Sequence, residues 1–152
     1  MSDPITFDST TPRLALPLLF AGQSQKEFTV NEALLRTDLV LHCTVEGEVA
    51  VPPANPLAGQ AWLVGANPTG AFAGHAAAIA GFTSGGWRFV AARTGLRVYD
   101  KSSPGFRHYT NAWQRCVAPA TPVGGTTIDQ EARTAIASIV EKLIAAGILA
   151  TI

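Results

Sequence analysis

Charged side chains are scarce in this sequence. The 152 residues include 11 Lys and Arg and 11 Asp and Glu, so the formal net charge is zero and the charged fraction is 14%. An average soluble domain contains about 25% charged residues, which would be about 38 in a chain of this length. Because charged residues lie on surfaces, part of this protein's surface is uncharged, and we expect it to contact another protein. The balanced charge argues against a nucleic-acid binder and a membrane-surface protein.

Long apolar runs are also missing. The first apolar stretch, Leu14 to Ala21, is interrupted by Pro17 and follows no basic segment, which is not the pattern of a signal peptide. No run approaches the roughly 18 apolar residues that cross a bilayer. We therefore expect a protein that is made in the cytoplasm and has no membrane partner.

Cysteine is limited to Cys43 and Cys116, which is too few for a disulfide framework in a chain of this size. We expect two buried thiols. His42 lies beside Cys43, and His108 precedes Cys116, but neither pair has the ligand spacing of a zinc site. The sequence predicts no metal and no cofactor.

The common catalytic motifs are absent. No phosphate-binding loop, dinucleotide fingerprint, zinc-protease helix or hydrolase elbow is present. Cys43 with His42, His75 or His108 keeps a small hydrolase as a third hypothesis, but no local signature supports it. Acidic residues in the central part of the chain are few: Asp38, Glu46, Glu48 and Asp100. We predict that the protein is not an enzyme.

Residues 1–23 are predicted to form an extended arm, because Pro4, Pro12 and Pro17 each remove a backbone donor and disfavour helix. The arm carries more apolar side chains than a free tail would expose. It must lie either on its own body, which we favour, or on a neighbouring subunit. The candidate contact residues of the arm are Leu14, Leu16 and Leu18.

Residues 24–117 are predicted to form a helix followed by a β-rich body. Ser24 and Glu27 have capping-box spacing, and a short helix is expected to run to about Thr37. From Asp38 to Cys116, short alternating segments are separated by turn residues, which indicates a small antiparallel sheet or barrel. The first of these hairpins is predicted to reverse at Glu46 and Gly47. The segment 71–80 is equally compatible with a strand and a loop.

Residues 118–126 have the composition of a Pro/Gly linker, and residues 127–152 are predicted to form an amphipathic helix. Thr127 and Gln130 supply a second capping box, and Gly147 suits the left-handed residue that ends a helix. Apolar side chains follow at alternating steps of four and three, the spacing of paired helices. These residues are Ala132, Ile136, Ile139, Leu143 and Ala146.

The apolar surface of this helix is wider than one stripe, which leaves two interpretations. The helix lies either in a groove of its own β body or against further copies of the chain. Self-association is favoured slightly. The candidate oligomer interface of the helix is Ile136, Ile139, Leu143, Ile144 and Ile148. The fold class is thus α+β and mainly β: a small antiparallel body with an extended arm, a short helix and a C-terminal amphipathic helix.

The aromatic residues suggest a second kind of site. Indole and phenol rings on a sheet surface hold sugar rings by stacking, although tryptophans in a small sheet are more often core residues. The carbohydrate-binding candidates are Trp113, Tyr109, Trp87 and Trp62. Trp113 is the first choice, because polar side chains surround it in the sequence at Arg107, His108, Asn111 and Gln114.

Several segments follow one another in a recognisable order. They are Thr11–Leu34, with Gly22–Ala33 its most specific part, then Pro53–Gly59, Trp62–Gly65, Gly70–His75, Gly86–Val90 and Gly95–Tyr99. In this order they resemble the family called domain of unknown function 2793, over most of residues 11–115. Members of that family belong to alphaproteobacterial prophages and gene transfer agents, where they resemble parts of head or tail appendages. The family has no established active site, so its motif residues are interpreted as structural.

The resemblance implies a structural virion protein of a bacteriophage-like particle or gene transfer agent, made in the bacterial cytoplasm and assembled into the particle. Because no receptor-binding extension follows the C-terminal helix, we expect a base or adaptor for host attachment, in a head spike or tail fibre. The expected partners are further copies of the chain, as a homo-oligomer, and other virion proteins such as a fibre or capsid subunit. The alternative is a carbohydrate-binding module that contacts host surface polysaccharide.

Overall fold

A computed structural model of the chain describes residues 9–22 and 26–150. The chain consists of two compact units, Met1–Ala92 and Arg93–Ile152. The boundary between them falls within residues 24–117, which were predicted to form one helix and β-rich body. The fold class is α+β, with a β body and helices towards both ends of the chain. The described elements are α1 (Lys26–Val40), β1 (Thr44–Val45), β2 (Glu48–Val49), β3 (Ala61–Val64), a 3-10 turn (Gly70–Phe72), β4 (Ile79–Thr83), β5 (Gly86–Val90), β6 (Arg97–Asp100), β7 (Gly105–Tyr109), β8 (Trp113–Arg115) and α2 (Gln130–Ala145).

The first unit contains a mixed sheet in the order β2, β3, β4, β5. β3, β4 and β5 pair antiparallel as predicted, but β2 pairs with β3 in parallel, with Glu48 opposite Leu63. The predicted hairpin at Glu46 and Gly47 is therefore wrong, because β2 joins β3 instead of returning onto β1. The segment 71–80 is a turn that enters a strand at Ile79.

Helix α1 extends further than the sequence pattern predicted. It continues to Val40, so Leu39 and Val40 are helical and the predicted strand alternation at these residues is wrong. Leu39 is buried against β4, where a Cβ added to Gly81 would lie only 2.6 Å from Leu39 Cδ1. Packing of Leu39 against Gly81 in β4 thus extends the helix beyond the end that the local sequence indicates. The proposed cap residue Ser24 lies outside the described residues.

The second unit contains the antiparallel strands β6, β7 and β8, followed by the linker and α2. The N-cap of α2 is Asp129, whose carboxylate accepts a hydrogen bond from the Ala132 N–H at 2.9 Å, so the prediction of Thr127 as the cap is wrong. Asp is among the strongest N-cap residues, and here it stands directly before the first helical residue.

The C-terminal end of α2 is confirmed. Gly147 has φ +70°, and the Ile148 N–H donates to the Leu143 carbonyl at 2.9 Å, which is the Schellman arrangement. Gly147 also lies close to β6 and β7, because a Cβ there would be 3.4 Å from Tyr99 Cε2. The chain then forms a parallel bridge between Ala150 and Val117.

Candidate functional site

The described part of the arm lies on its own unit, held by a buried carboxylate. Asp38 is 2% exposed and accepts hydrogen bonds from Thr11 Oγ1 at 2.8 Å, the Leu14 N–H at 2.7 Å and the Arg13 N–H at 3.1 Å. The Arg13 guanidinium in turn donates to the carbonyls of Asp38, Leu39 and His42. A cation at these carbonyls also complements the negative end of the α1 dipole. Residues 9–22 thus lie on their own unit, but they do not run extended as predicted: the chain turns back on itself in an antiparallel bridge between Thr10 and Pro17.

A second set of hydrogen bonds holds the arm further along the chain, at Leu19. Asn31 on α1 accepts a hydrogen bond from the Leu19 N–H at 2.8 Å and donates to the Leu19 carbonyl at 2.9 Å. Its neighbour Glu32 forms ion pairs with Arg88 on β5 at 2.7 Å and with Arg36 at 2.9 Å. The Asn-Glu pair of the sequence signature therefore joins the arm, the helix and the sheet of the first unit.

Two further sequence motifs meet in space. Phe72, from the Gly70–His75 segment, packs edge-on against Trp87, with ring centroids 4.8 Å apart. His75 from the same segment stacks on Phe89 at 3.8 Å with an interplanar angle of 2°. Phe72 is fully buried in a core cluster against which Trp87 and Phe89 pack. These motif residues hold the turn onto the sheet.

Of the comparisons with known proteins, the one with protein families finds a match. The family described as a protein of unknown function, DUF2793, matches residues 30–114, which is more than half of the chain. The chain belongs to the DUF2793 family. No curated protein and no solved structure matches it. The match begins at Val30, so the arm is outside the matched range, whereas Asn31, Glu32 and Asp38 are within it.

All four carbohydrate candidates lie within the DUF2793 match, two in each unit. Trp62 and Trp87 lie in the first unit with centroids 5.6 Å apart. Trp62 is only 7% exposed, so its ring faces are covered and we remove it from the candidates. Trp87 packs against the core cluster as a half-buried residue. The core interpretation describes this pair better than the sugar-binding one.

Tyr109 and Trp113 form a pair of their own in the second unit. They lie directly opposite each other on β7 and β8, with ring centroids 5.2 Å apart at 65°. Both are half-buried. Arg107 and Arg115 pair two residues further along these strands, beyond His108 and Gln114, so period-two alternation places the two arginines on the same face as the two rings. This face combines aromatic rings with cations.

Those two arginines are organised by a buried acid that the sequence analysis did not single out. Asp100 is fully buried and accepts from Arg107 Nε at 2.7 Å and from Arg115. Burial raises the pKa of Asp100, but hydrogen bonds from Ser102 Oγ and N–H, the Arg107 charge and Arg115 outweigh it and hold that pKa below its ordinary value. Asp100 is the one acid of residues 93–117, whose basic side chains are Arg93, Arg97, Lys101, Arg107 and Arg115. Although the net charge of the whole chain is zero, the segment that forms β6, β7 and β8 is therefore basic.

The two cysteines differ, and the prediction of two buried thiols is half wrong. Cys43 is buried, whereas Cys116 is exposed. Burial raises the pKa of the Cys43 thiol to about 11, against the opposing influence of the Arg13 charge. A thiol with this pKa stays protonated at neutral pH, which argues against its use as a nucleophile. Across residues 9–22 and 26–150, no three His, Cys, Asp or Glu side chains converge as metal ligands.

The α2 surface leaves several large apolar side chains uncovered. None of its residues is buried, and Ile136 and Ile139 are 46% and 60% exposed. Leu143 and Ile144 are half-buried, and Ile148 after the helix is exposed. On the arm, Leu14 is exposed and Leu16 and Leu18 are half-buried. Within the described residues, no helix has both the length and the apolar character needed to cross a bilayer.

Two shallow grooves flank α2 in its unit. One, of about 180 Å³, lies between Ile136, Val140 and the linker at Pro119–Pro122. The other, of about 370 Å³, lies between the C-terminal end of α2 and the rings of Tyr99 and Phe106. The linker thus lies beside the helix without filling the space against it. The prediction of a helix in a groove of the β body is not supported, because a core helix would bury at least one side of its surface.

Proposed function

We propose that this protein is a non-enzymatic, self-associating structural component of a phage-like particle or gene transfer agent. Its role is that of a base or adaptor in a host-attachment appendage, either a head spike or a tail fibre. The observation that carries the proposal is the uncovered apolar surface of α2. Such a surface on a protein with few charged residues favours burial in an assembly.

The internal organisation of the first unit supports the same function. The signature residues are used for structure: Asn31 binds the arm backbone, Glu32 pairs with Arg88, and Phe72 is in the core. The buried thiol of Cys43 and the absence of catalytic motifs argue against an enzyme. The assignment to a virion rests on the resemblance given above and on the expectation of an assembly.

The experiment is a deletion of the encoding sequence from a particle-producing strain, with a plasmid copy as the complementing control. Electron microscopy is expected to reveal complete heads and tails that lack a fibre or spike, and adsorption to host cells is expected to fall. A complementing copy with Ile139→Asp should fail, because it places an unpaired charge at an apolar contact. Particles that keep every appendage and adsorb normally would contradict the proposal.

A carbohydrate-binding module is the second candidate, and the Tyr109–Trp113 pair favours it. Two rings at the end of a basic sheet suit a sugar that also carries an anionic group. Binding to a glycan array should be lost in Trp113→Ala and retained in Trp87→Phe, which alters a core aromatic residue. Loss of glycan binding with unchanged self-association would place this function above the structural one. Absence of binding by the unmodified protein would remove the second candidate.

A further inference from the structure

The apolar side chains of α2 have a repeat that specifies how many helices pack together. Ile136 and Leu143 are seven residues apart, and Ile139 lies between them at a step of three. In a heptad this places Ile136 and Leu143 at a positions and Ile139 at a d position. Ala132 and Ala146 continue the d positions on either side.

The positions next to this seam are also suited to a bundle wider than a pair. Ala135 and Val140 occupy g and e positions, which in two-stranded coiled coils are usually charged. Lys142 is at g and Arg133 at e. In parallel helices, a g residue faces the e residue five positions further along a neighbour. The positions that would face Lys142 and Arg133 are Gly147 and Ile128, which lie beyond the two ends of α2, so no two cations oppose each other.

We propose that three copies of this chain pack their α2 helices in parallel around a three-fold axis. This inference rests on the self-association in the proposed function and adds its stoichiometry and direction. Ile136 at a with Ile139 at d shifts the preference from two strands to more, and so does Leu143 at a with Ile139 at d. Three identical helices related by a three-fold axis necessarily run in the same direction. The bundle buries Ile136 and Ile139, which are 46% and 60% exposed in the single chain.

Sedimentation equilibrium of the full chain tests the stoichiometry. The expected mass is three times the 15.9 kDa of one chain. Ile139→Leu is the sharpest variant, because β-branched Ile at a with Leu at d favours two strands. Its expected mass is that of two chains. Ile139→Asn is expected to give single chains, whereas the adjacent Ser138→Asn, which lies outside the seam, should remain at three.

The outcomes separate this inference from the proposed function. A mass of two or four chains for the unmodified protein overturns the three-fold bundle and leaves the structural function standing. A single chain at micromolar concentration overturns both. If Ile139→Asn fails to fold by circular dichroism, Ile139→Leu still decides, since a mass unchanged from that of the unmodified protein contradicts the role of this position.

Discussion

Substituting Asp38 with alanine should destabilise the first unit by releasing the arm. The change removes the acceptor of three hydrogen bonds, from Thr11 Oγ1, the Arg13 N–H and the Leu14 N–H. A hydrogen bond to a charged group contributes about 1.5–3 kcal/mol. Arg13 and Leu14 are partly open to water, which replaces some of the lost bonding. We expect the free energy of unfolding to fall by about 3 kcal/mol, which is about a third of the stability of an ordinary domain.

Urea unfolding followed by circular dichroism measures this change, and a double-mutant cycle assigns it to the arm. Thr11→Val keeps the side-chain shape but removes two hydrogen bonds, the one that Thr11 Oγ1 donates to Asp38 and the one that it accepts from the Leu16 N–H at 3.0 Å, and should cost about 2 kcal/mol. In the Asp38→Ala background, Thr11→Val should cost only about 1 kcal/mol, because Asp38 is already absent and only the bond from the Leu16 N–H is lost. Asp129→Ala, at the N-cap of α2, is the control: its cost of about 1 kcal/mol should be the same with and without Asp38.

Two results would refute this reasoning about the arm. The first is a loss below about 1 kcal/mol for Asp38→Ala, since a single neutral hydrogen bond has that value. The second is full additivity of Thr11→Val and Asp38→Ala. Additivity means that the two residues act independently, and the contact between arm and helix would then contribute nothing to stability.

Three more predictions concern other parts of the chain. Asp100→Asn should lower the free energy of unfolding by about 3 kcal/mol at neutral pH. Because the pKa of Asp100 is lowered in the folded state, its contribution is present above the unfolded pKa of about 4 and disappears as acid protonates the carboxylate. The free energy of unfolding should therefore depend less on pH in the acidic range in the variant than in the unmodified protein. Gly81→Ala should cost about 1–3 kcal/mol through its clash with Leu39, measured by thermal unfolding against Gly85→Ala. A thiol reagent should label Cys116 rapidly and Cys43 only in denaturant; equal rates would contradict the burial of Cys43.

Local signals predicted the elements whose ends depend on neighbouring residues alone. Gly147 ends α2 because the left-handed residue after a helix needs no more than its own backbone freedom. The sequence pattern indicated a β body before Cys116 for a similar reason, since turn residues separate short alternating runs. The C-terminal end of α1 was missed because it depends on Gly81, about forty residues away in the sequence. Tertiary packing decided this end of the helix against the local alternation.

The candidate sites were predicted unevenly for the same physical reason. Exposed isoleucines on α2 could be listed from heptad spacing, because a helix places residues three and four apart on one side. The role of Asp38 could not, because a lone acid at the end of a helical segment has no local partner. Asp100 has the same character: its two arginines come from β7 and β8. Sequence spacing reveals neither set of partners, because the register of the strands is decided by the fold.

The isoleucine surface of α2 also has a practical consequence for handling the protein. Association driven by aliphatic burial weakens on cooling and strengthens with sulfate, whereas one driven by ion pairs weakens in any salt. A preparation kept on ice in dilute buffer would therefore dissociate more than one at growth temperature. The number of subunits should therefore be measured at growth temperature and not on ice. Ammonium sulfate should promote assembly at concentrations below those that precipitate the chain.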